Sequence, residues 1–323
     1  MSEKTPLDAP PMQPQHDDLH FDLDRALKSI VGLQANVPED AFTADILGTE
    51  RAGSGVVIRD SGLALTIGYL ITEAESVWLT ASDGRVVPAH ALAYDQETGF
   101  GLVQALGPLD LPALELGRMS EANLGDPVVV AGGGRAPTTR ALIVGKQEFA
   151  GYWEYLLEEA VFTAPAHPFW GGAGVISQTG KLLGIGSLQV QQMAEKGQQY
   201  DINMIVPIDL LPPILDDLLK YGRVNKPPRP WLGVYSGESH GRIVVADVAE
   251  NGPAAAAGLR RGDIISAVRD SSVEDLAGFY RKVWACGPAG VEIPMEIIRD
   301  GRSAWARIKT VDRASLLKKP RLQ

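Results

Sequence analysis

A single cysteine, Cys286, in 323 residues excludes an intramolecular disulfide and leaves no thiolate cluster for a metal. Within a helical pattern it reads as packing. No apolar run is long enough to cross a membrane as a helix, so no membrane insertion is expected. Lys and Arg form no run before the last few residues, and the formal net charge is -10. That balance argues against nucleic acid and anionic membranes as partners. Histidine is scarce as well: His16, His20, His90, His167 and His240 are the five. None is placed for catalysis, and neither a metal nor another cofactor is expected. The opening MSEKTPLDAP has no apolar signal core, so the chain as written is expected in the cytoplasm, and in the periplasm only if a signal was removed.

What the chain does have is many short apolar strands broken by Gly and Pro turns, the pattern of an all-β barrel or sandwich. Val56–Ile58 and Leu63–Thr66 flank Asp60-Ser61-Gly62, and Ser76–Thr80 and Val86–Leu92 flank an Asp83-Gly84 turn. Further strands are expected at Phe100–Ala105, Pro127–Gly132, Arg140–Gly145 and Val161–Ala164. Residues 1–22 hold too few apolar groups to offset the cost of ordering and read as a disordered tail. The Gly132-Gly133-Gly134 run lacks a following helix and lysine, so it reads as an irregular turn rather than a phosphate loop. Near Leu210 the period changes to three and four, an amphipathic helix ending at Tyr221-Gly222. The expected division is a domain over 23–222, a proline-rich linker over 223–230, a smaller domain of strands and two helices over 231–311, and a tail over 312–323.

The stretch TAPAHPFWGGAGVISQTGKLLGIGS, Thr163–Ser187, places a glycine-rich loop between apolar strands. With GSGVVI from Gly53, SDGR from Ser82, LGDPVVVAGG from Leu124 and YGRV from Tyr221, it resembles the protease domain of the HtrA/DegP family. WLGV from Trp231, VAENGPAAAAGLRRGDIISAV from Val248 and EIIRDGR from Glu296 resemble that family's PDZ domain. The PDZ spacing is met at Gly252, Pro253, Ala254, Ala257, Gly258, Leu259, Gly262, Asp263 and Ile265. The resemblance covers about residues 25–311 and implies a mainly β protein, a chymotrypsin-like double β-barrel followed by a PDZ-like α+β domain.

Acyl transfer by the family's route needs a serine, a histidine and a carboxylate. The aligned positions hold Gly171, Tyr69 and Gly99. Glycine has no nucleophile, and a phenol of pKa about 10 is a poor base near neutrality. His167 lies four residues before Gly171, and Ser177 is expected to point into the following strand. Gly171 and Gly172 are expected to keep backbone N–H groups for an oxyanion. Phe169 and Trp170 are expected to fill the pocket mouth, and Glu158 and Glu159 to be solvated. The resulting expectation is a chain that is not an enzyme, a pseudoprotease acting as scaffold or regulator. The alternative is an active HtrA-type serine endopeptidase in protein quality control.

The PDZ resemblance implies partners as well. Trp231, Leu232, Gly233 and Val234 match the carboxylate loop, Tyr235 continues the receiving strand, and Tyr280 lines the groove with Leu276, Phe279 and Val283. Peptides or protein C-termini are the implied ligands. A homo-trimer, or a hetero-oligomer with an active protease, is the implied assembly.

Overall fold

The computed structural model describes residue 14 and residues 19–133, 138–193 and 199–319. Most of the expected tail over 1–22, with His16, the Gly134 of the glycine run and the last residues of the 312–323 tail lie outside these. The described residues form two compact units. One holds the described residues up to Gln147, with Glu159–Val224 and the described residues from Lys318. The other holds Glu148–Glu158 and Asn225–Leu317.

The first unit opens with α1 (Leu23–Lys28), whose N-cap Asp22 accepts a hydrogen bond from the Arg25 amide. Then follow β1 (Ile30–Asn36), the single turn α2 (Ala44–Leu47), β2 (Glu50–Arg59), β3 (Leu63–Ile67), β4 (Ser76–Thr80), β5 (Val86–Tyr94) and β6 (Phe100–Ala105). These six strands close as β1-β2-β3-β6-β5-β4. Every residue of β3 is buried, as an apolar run in a small closed barrel requires. A second barrel, β10-β11-β12-β9-β8-β7, is built from β7 (Pro127–Ala131), β8 (Thr138–Gly151), β9 (Tyr155–Ala164), β10 (Gly174–Ile176), β11 (Leu182–Met193) and β12 (Gln199–Pro207). Val128, Val130, Ile143, Val161, Val175 and Ile205 fill it. The helix α3 (Pro212–Tyr221) follows, with Pro at its start. It stops where Gly222 turns left-handed at φ 69° and its amide caps Leu218.

The two barrels approach closely enough for backbone groups to bond directly and through short side chains. The Ser54 amide donates to the Gly171 carbonyl at 2.8 Å, and the Gly133 amide to Ser54 Oγ at 2.9 Å. A methyl group on Gly133 would lie 1.9 Å from the Val31 carbonyl oxygen. The glycine at 133 is therefore a point of close approach, which accounts for its place in the glycine run.

The second unit carries β13 (Val234–Ser239), β14 (Arg242–Val248), the short α4 (Pro253–Ala256), β15 (Ile264–Val268), β16 (Ser271–Ser272), α5 (Leu276–Trp284), β17 (Glu292–Arg299) and β18 (Arg302–Lys309). Its sheet runs β13-β14-β15-β17-β18, with β16 on β15. Asp263 of the Gly-Asp motif is buried and takes both nitrogens of Arg299 at 2.7 Å, while also accepting from the Arg260 amide. A bidentate pair explains why an acid is tolerated there. The mainly β expectation, two barrels and then a PDZ-like domain, is met.

The strands β8 and β9 are the chief departure from the sequence reading. They were expected at Arg140–Gly145 and Val161–Ala164; they run to Gly151 and from Tyr155. The added residues, 148–158, belong to the second unit and pack there, with Leu156 in its apolar core.

Gly133→Ala is expected to destabilise the first unit by about 3 kcal/mol, since one backbone must move to admit a methyl. Denaturant unfolding followed by tryptophan fluorescence measures it.

Candidate functional sites

Tyr69 stands in a single 3-10 turn, Gly68–Leu70, directly after β3. Its hydroxyl donates to the Ser187 carbonyl at 2.8 Å. Burial holds the phenol well above the usual tyrosine value, partly offset by a hydrogen bond with Trp170, so it stays protonated at neutral pH. Gly171 lies beside it: a Cβ added there would sit 2.9 Å from Tyr69 Oη. The hydroxyl thus occupies the space in which a side chain at 171 would begin. Gly99 completes the group. Its carbonyl accepts from the Gly68 amide at 2.7 Å, and its amide donates to Asp95 O at 2.8 Å. Asp95 Oδ2 ties this turn by accepting from the amide and hydroxyl of Thr98. With φ at 84°, residue 99 occupies a conformation that glycine adopts most readily. The chain therefore packs Tyr69 against Gly171 and ties Gly99 to the turn that carries Tyr69.

Other readings of this region are corrected. The Gly172 amide donates to the Gly186 carbonyl at 2.9 Å, so it is committed to the fold and not open to an oxyanion. Phe169 does not fill a pocket mouth; it is 58% exposed. His167 is not a rim residue but fully buried, with its amide on Asn203 Oδ1. Its Nδ1 accepts from the Phe169 amide at 3.1 Å, which places the proton of the neutral ring on Nε2. Ser177 does not point into a strand; its hydroxyl closes the turn by accepting from the Thr179 and Lys181 amides. Glu158 and Glu159 are exposed, as expected, and Glu158 also pairs with Arg281.

The second unit presents a carboxylate site. The amides of Leu232, Gly233 and Val234 converge on the side chain of Glu154, Leu232 at 3.0 and 3.2 Å, Gly233 at 2.7 Å and Val234 at 3.1 Å. Gly233 has φ 77°, which turns its N–H inward beside its neighbours. Trp231 is buried behind this loop, its amide on the Val311 carbonyl. Burial pushes the Glu154 carboxyl up to about 7, against the opposing pull of the three amides and of Arg313.

Beside this loop, the Ser236 amide of β13 donates to the Tyr152 carbonyl at 2.9 Å. The Tyr235 ring lies 6.1 Å from that of Tyr152. Tyr280 of α5 donates its hydroxyl to the Gly151 carbonyl at 2.8 Å and accepts from the Glu154 amide at 3.2 Å. Phe279 and Val283 are fully buried in the unit's core. Trp231, Leu232, Gly233, Val234, Tyr235 and Tyr280 thus belong to one cluster, most of it buried. Glu154, which the sequence reading passed over, sits at its centre. The signal was FAGYWEY, Phe149–Tyr155: a lone acid among aromatics at a hairpin tip.

Two outcomes are expected here. Tyr69→Phe removes a hydrogen bond to a carbonyl and should cost about 1 kcal/mol, read as a shift in the unfolding midpoint. Glu154 keeps its proton in the folded chain where the unfolded chain has lost it. Stability of the second unit should therefore be greatest below the ordinary carboxylate range and fall as pH rises through about 7. The loss is of order 3 kcal/mol, and urea titrations between pH 4 and 8 measure its sign.

Comparison with known proteins agrees with this architecture. The Trypsin-like peptidase domain family matches residues 53–185, and the PDZ domain family matches residues 230–310. A probable periplasmic serine protease do/HhoA-like of Haemophilus influenzae is 26% identical over 278 residues, 80% of this chain and 57% of its own. The periplasmic serine endoprotease DegP of Escherichia coli K12 is 24% identical over 266 residues, 77% of this chain and 55% of its own. The chain thus spans little more than half the length of these relatives. The solved HtrA-type protease AlgW with tripeptide superposes with a TM-score of 0.52 at 21% identity, covering 93% of this chain and 97% of that one. The expectation that the chain is not an enzyme is overturned by relatives named as serine proteases. Empty triad positions report on only one way of building an acyl-transfer site. A cytoplasmic location likewise finds no support in relatives named as periplasmic. In domain content, domain order and fold the chain is similar to HtrA-type proteases: a match to the trypsin-like peptidase domain is followed by a match to the PDZ domain.

Proposed function

We propose that this protein is an HtrA-type serine endopeptidase of protein quality control that recognises peptides through its PDZ domain. The observation that carries the recognition half is the convergence of three backbone amides, from Leu232, Gly233 and Val234, on one carboxylate. That arrangement suits the end of a polypeptide chain, with β13 offering an edge for the residues before it. The peptidase half is supported by the names of the relatives, which also favour action in the periplasm. Assembly as a homo-trimer, or with a second protease, belongs to the same proposal.

Tyr69, Gly99 and Gly171 contribute no acyl-transfer group on this reading. The phenol is protonated and engaged with Ser187, and glycine carries no nucleophile. Cleavage by this chain therefore requires a nucleophile outside those three positions. The deciding experiment is degradation of casein by purified protein, together with labelling by a serine-reactive fluorophosphonate and mapping of the label by mass spectrometry. Cleavage with a mapped serine is the expected result. Silence in both assays from a folded sample would overturn the peptidase half and leave peptide binding as the measured activity.

A further inference from the structure

The carboxylate that fills the Leu232–Val234 loop is the chain's own. Glu154 sits at the tip of the β8–β9 hairpin at φ 60°, a left-handed conformation unusual for glutamate. Its side chain is buried, and each of the three loop amides reaches it. Two residues earlier, the Tyr152 carbonyl takes the Ser236 amide from the edge of β13. A carboxylate in the loop, with a carbonyl two residues before it on the strand edge, is the arrangement by which an extended peptide end adds to a sheet. Helix α5 secures the same turn, Tyr280 through Gly151 and Glu154, and Arg281 through ion pairs with Glu148 and Glu158 on the two arms of the hairpin.

We propose that residues 151–154 are an internal ligand that occupies the peptide groove, and that the free C-terminus of another polypeptide gains the loop only by displacing Glu154. The proposal rests on reading the second unit as a peptide-binding PDZ domain. Its chemistry follows from the loop, which offers one cluster of amides and so admits one carboxylate at a time. A tethered competitor is present at high effective concentration. An external chain end therefore binds with its intrinsic affinity reduced by the fraction of molecules whose hairpin is undocked. A partner must bring a carboxylate to the loop and a backbone carbonyl to the Ser236 amide, since the hairpin supplies both, and a free chain end in extended form carries the two together.

The test uses the full chain and a fluorescein-labelled pool of hexapeptides with randomised C-terminal residues, once with a free carboxylate and once amidated. Binding is read by fluorescence anisotropy. Glu154→Ala is expected to bind the free-carboxylate pool at least about tenfold more tightly than the parent chain, with no comparable gain for the amidated pool. Glu154→Gln keeps the side chain's size and one acceptor oxygen, and so guards against a folding defect in the alanine variant. It should give a smaller gain of the same sign. Hydrogen exchange on the parent chain is the second measurement: saturating free-carboxylate peptide should speed exchange at 151–155 while slowing it along β13. Equal binding by the parent and both variants would overturn the internal-ligand proposal and leave the PDZ reading intact. Absence of binding by all three folded proteins would overturn the PDZ reading itself, and the proposal with it. A gain that is the same for both pools would show a groove that ignores the terminal charge, and would also overturn the proposal.

Discussion

The second unit depends on where one buried carboxylate finds its hydrogen bonds. An acid withdrawn from water costs several kcal/mol unless polar partners replace the lost hydration. Glu154 obtains them from three successive amides, which would otherwise need partners of their own once the hairpin covers them. The two needs meet at one point. The glycine at 233, the left-handed residue at 154 and the hydroxyl of Tyr280 are each placed to let them meet. Remove the acid, and three backbone donors lose their acceptor.

The first unit is ordered by a different constraint, the close approach of two barrels along their backbones. Ser54 is the shared element, donating its amide to the Gly171 carbonyl and accepting the Gly133 amide on its hydroxyl oxygen. At that joint the space a side chain would take at 171 holds the hydroxyl of Tyr69 instead. The chemistry of the region follows from this packing: a phenol held protonated by burial, a glycine without a functional group, and a neighbouring amide committed to Gly186.

Much of this was legible in the residues themselves. Apolar runs between glycine turns gave several of the strands, because β2, β4 and β10 each end just before a glycine that turns left-handed, Gly62, Gly84 and Gly180. The PDZ spacing from Gly252 to Ile265 gave the second unit and its loop. The reach of the hairpin was not legible. Its tip is aromatic and acidic, which local pattern reads as an exposed turn, and only contacts far along the chain bury Glu154 there. His167 was misplaced for a related reason. A polar residue beside a proline and glycines reads as surface, while its burial depends on Asn203, 36 residues away. Relatives named as serine proteases weigh on the function in a way that no single residue of this chain does.

The interlock of Tyr69, Gly99 and Gly171 has a consequence for mutational access. A serine placed at 171 would meet the Tyr69 hydroxyl at its first side-chain carbon. A histidine at 69 would surrender the bond to Ser187 before any partner existed for it. An aspartate at 99 would adopt a left-handed backbone at a cost of about 1 kcal/mol or more. Each step alone costs stability in this arrangement, so the order of substitutions matters: loss of the Tyr69 hydroxyl comes before a side chain at 171.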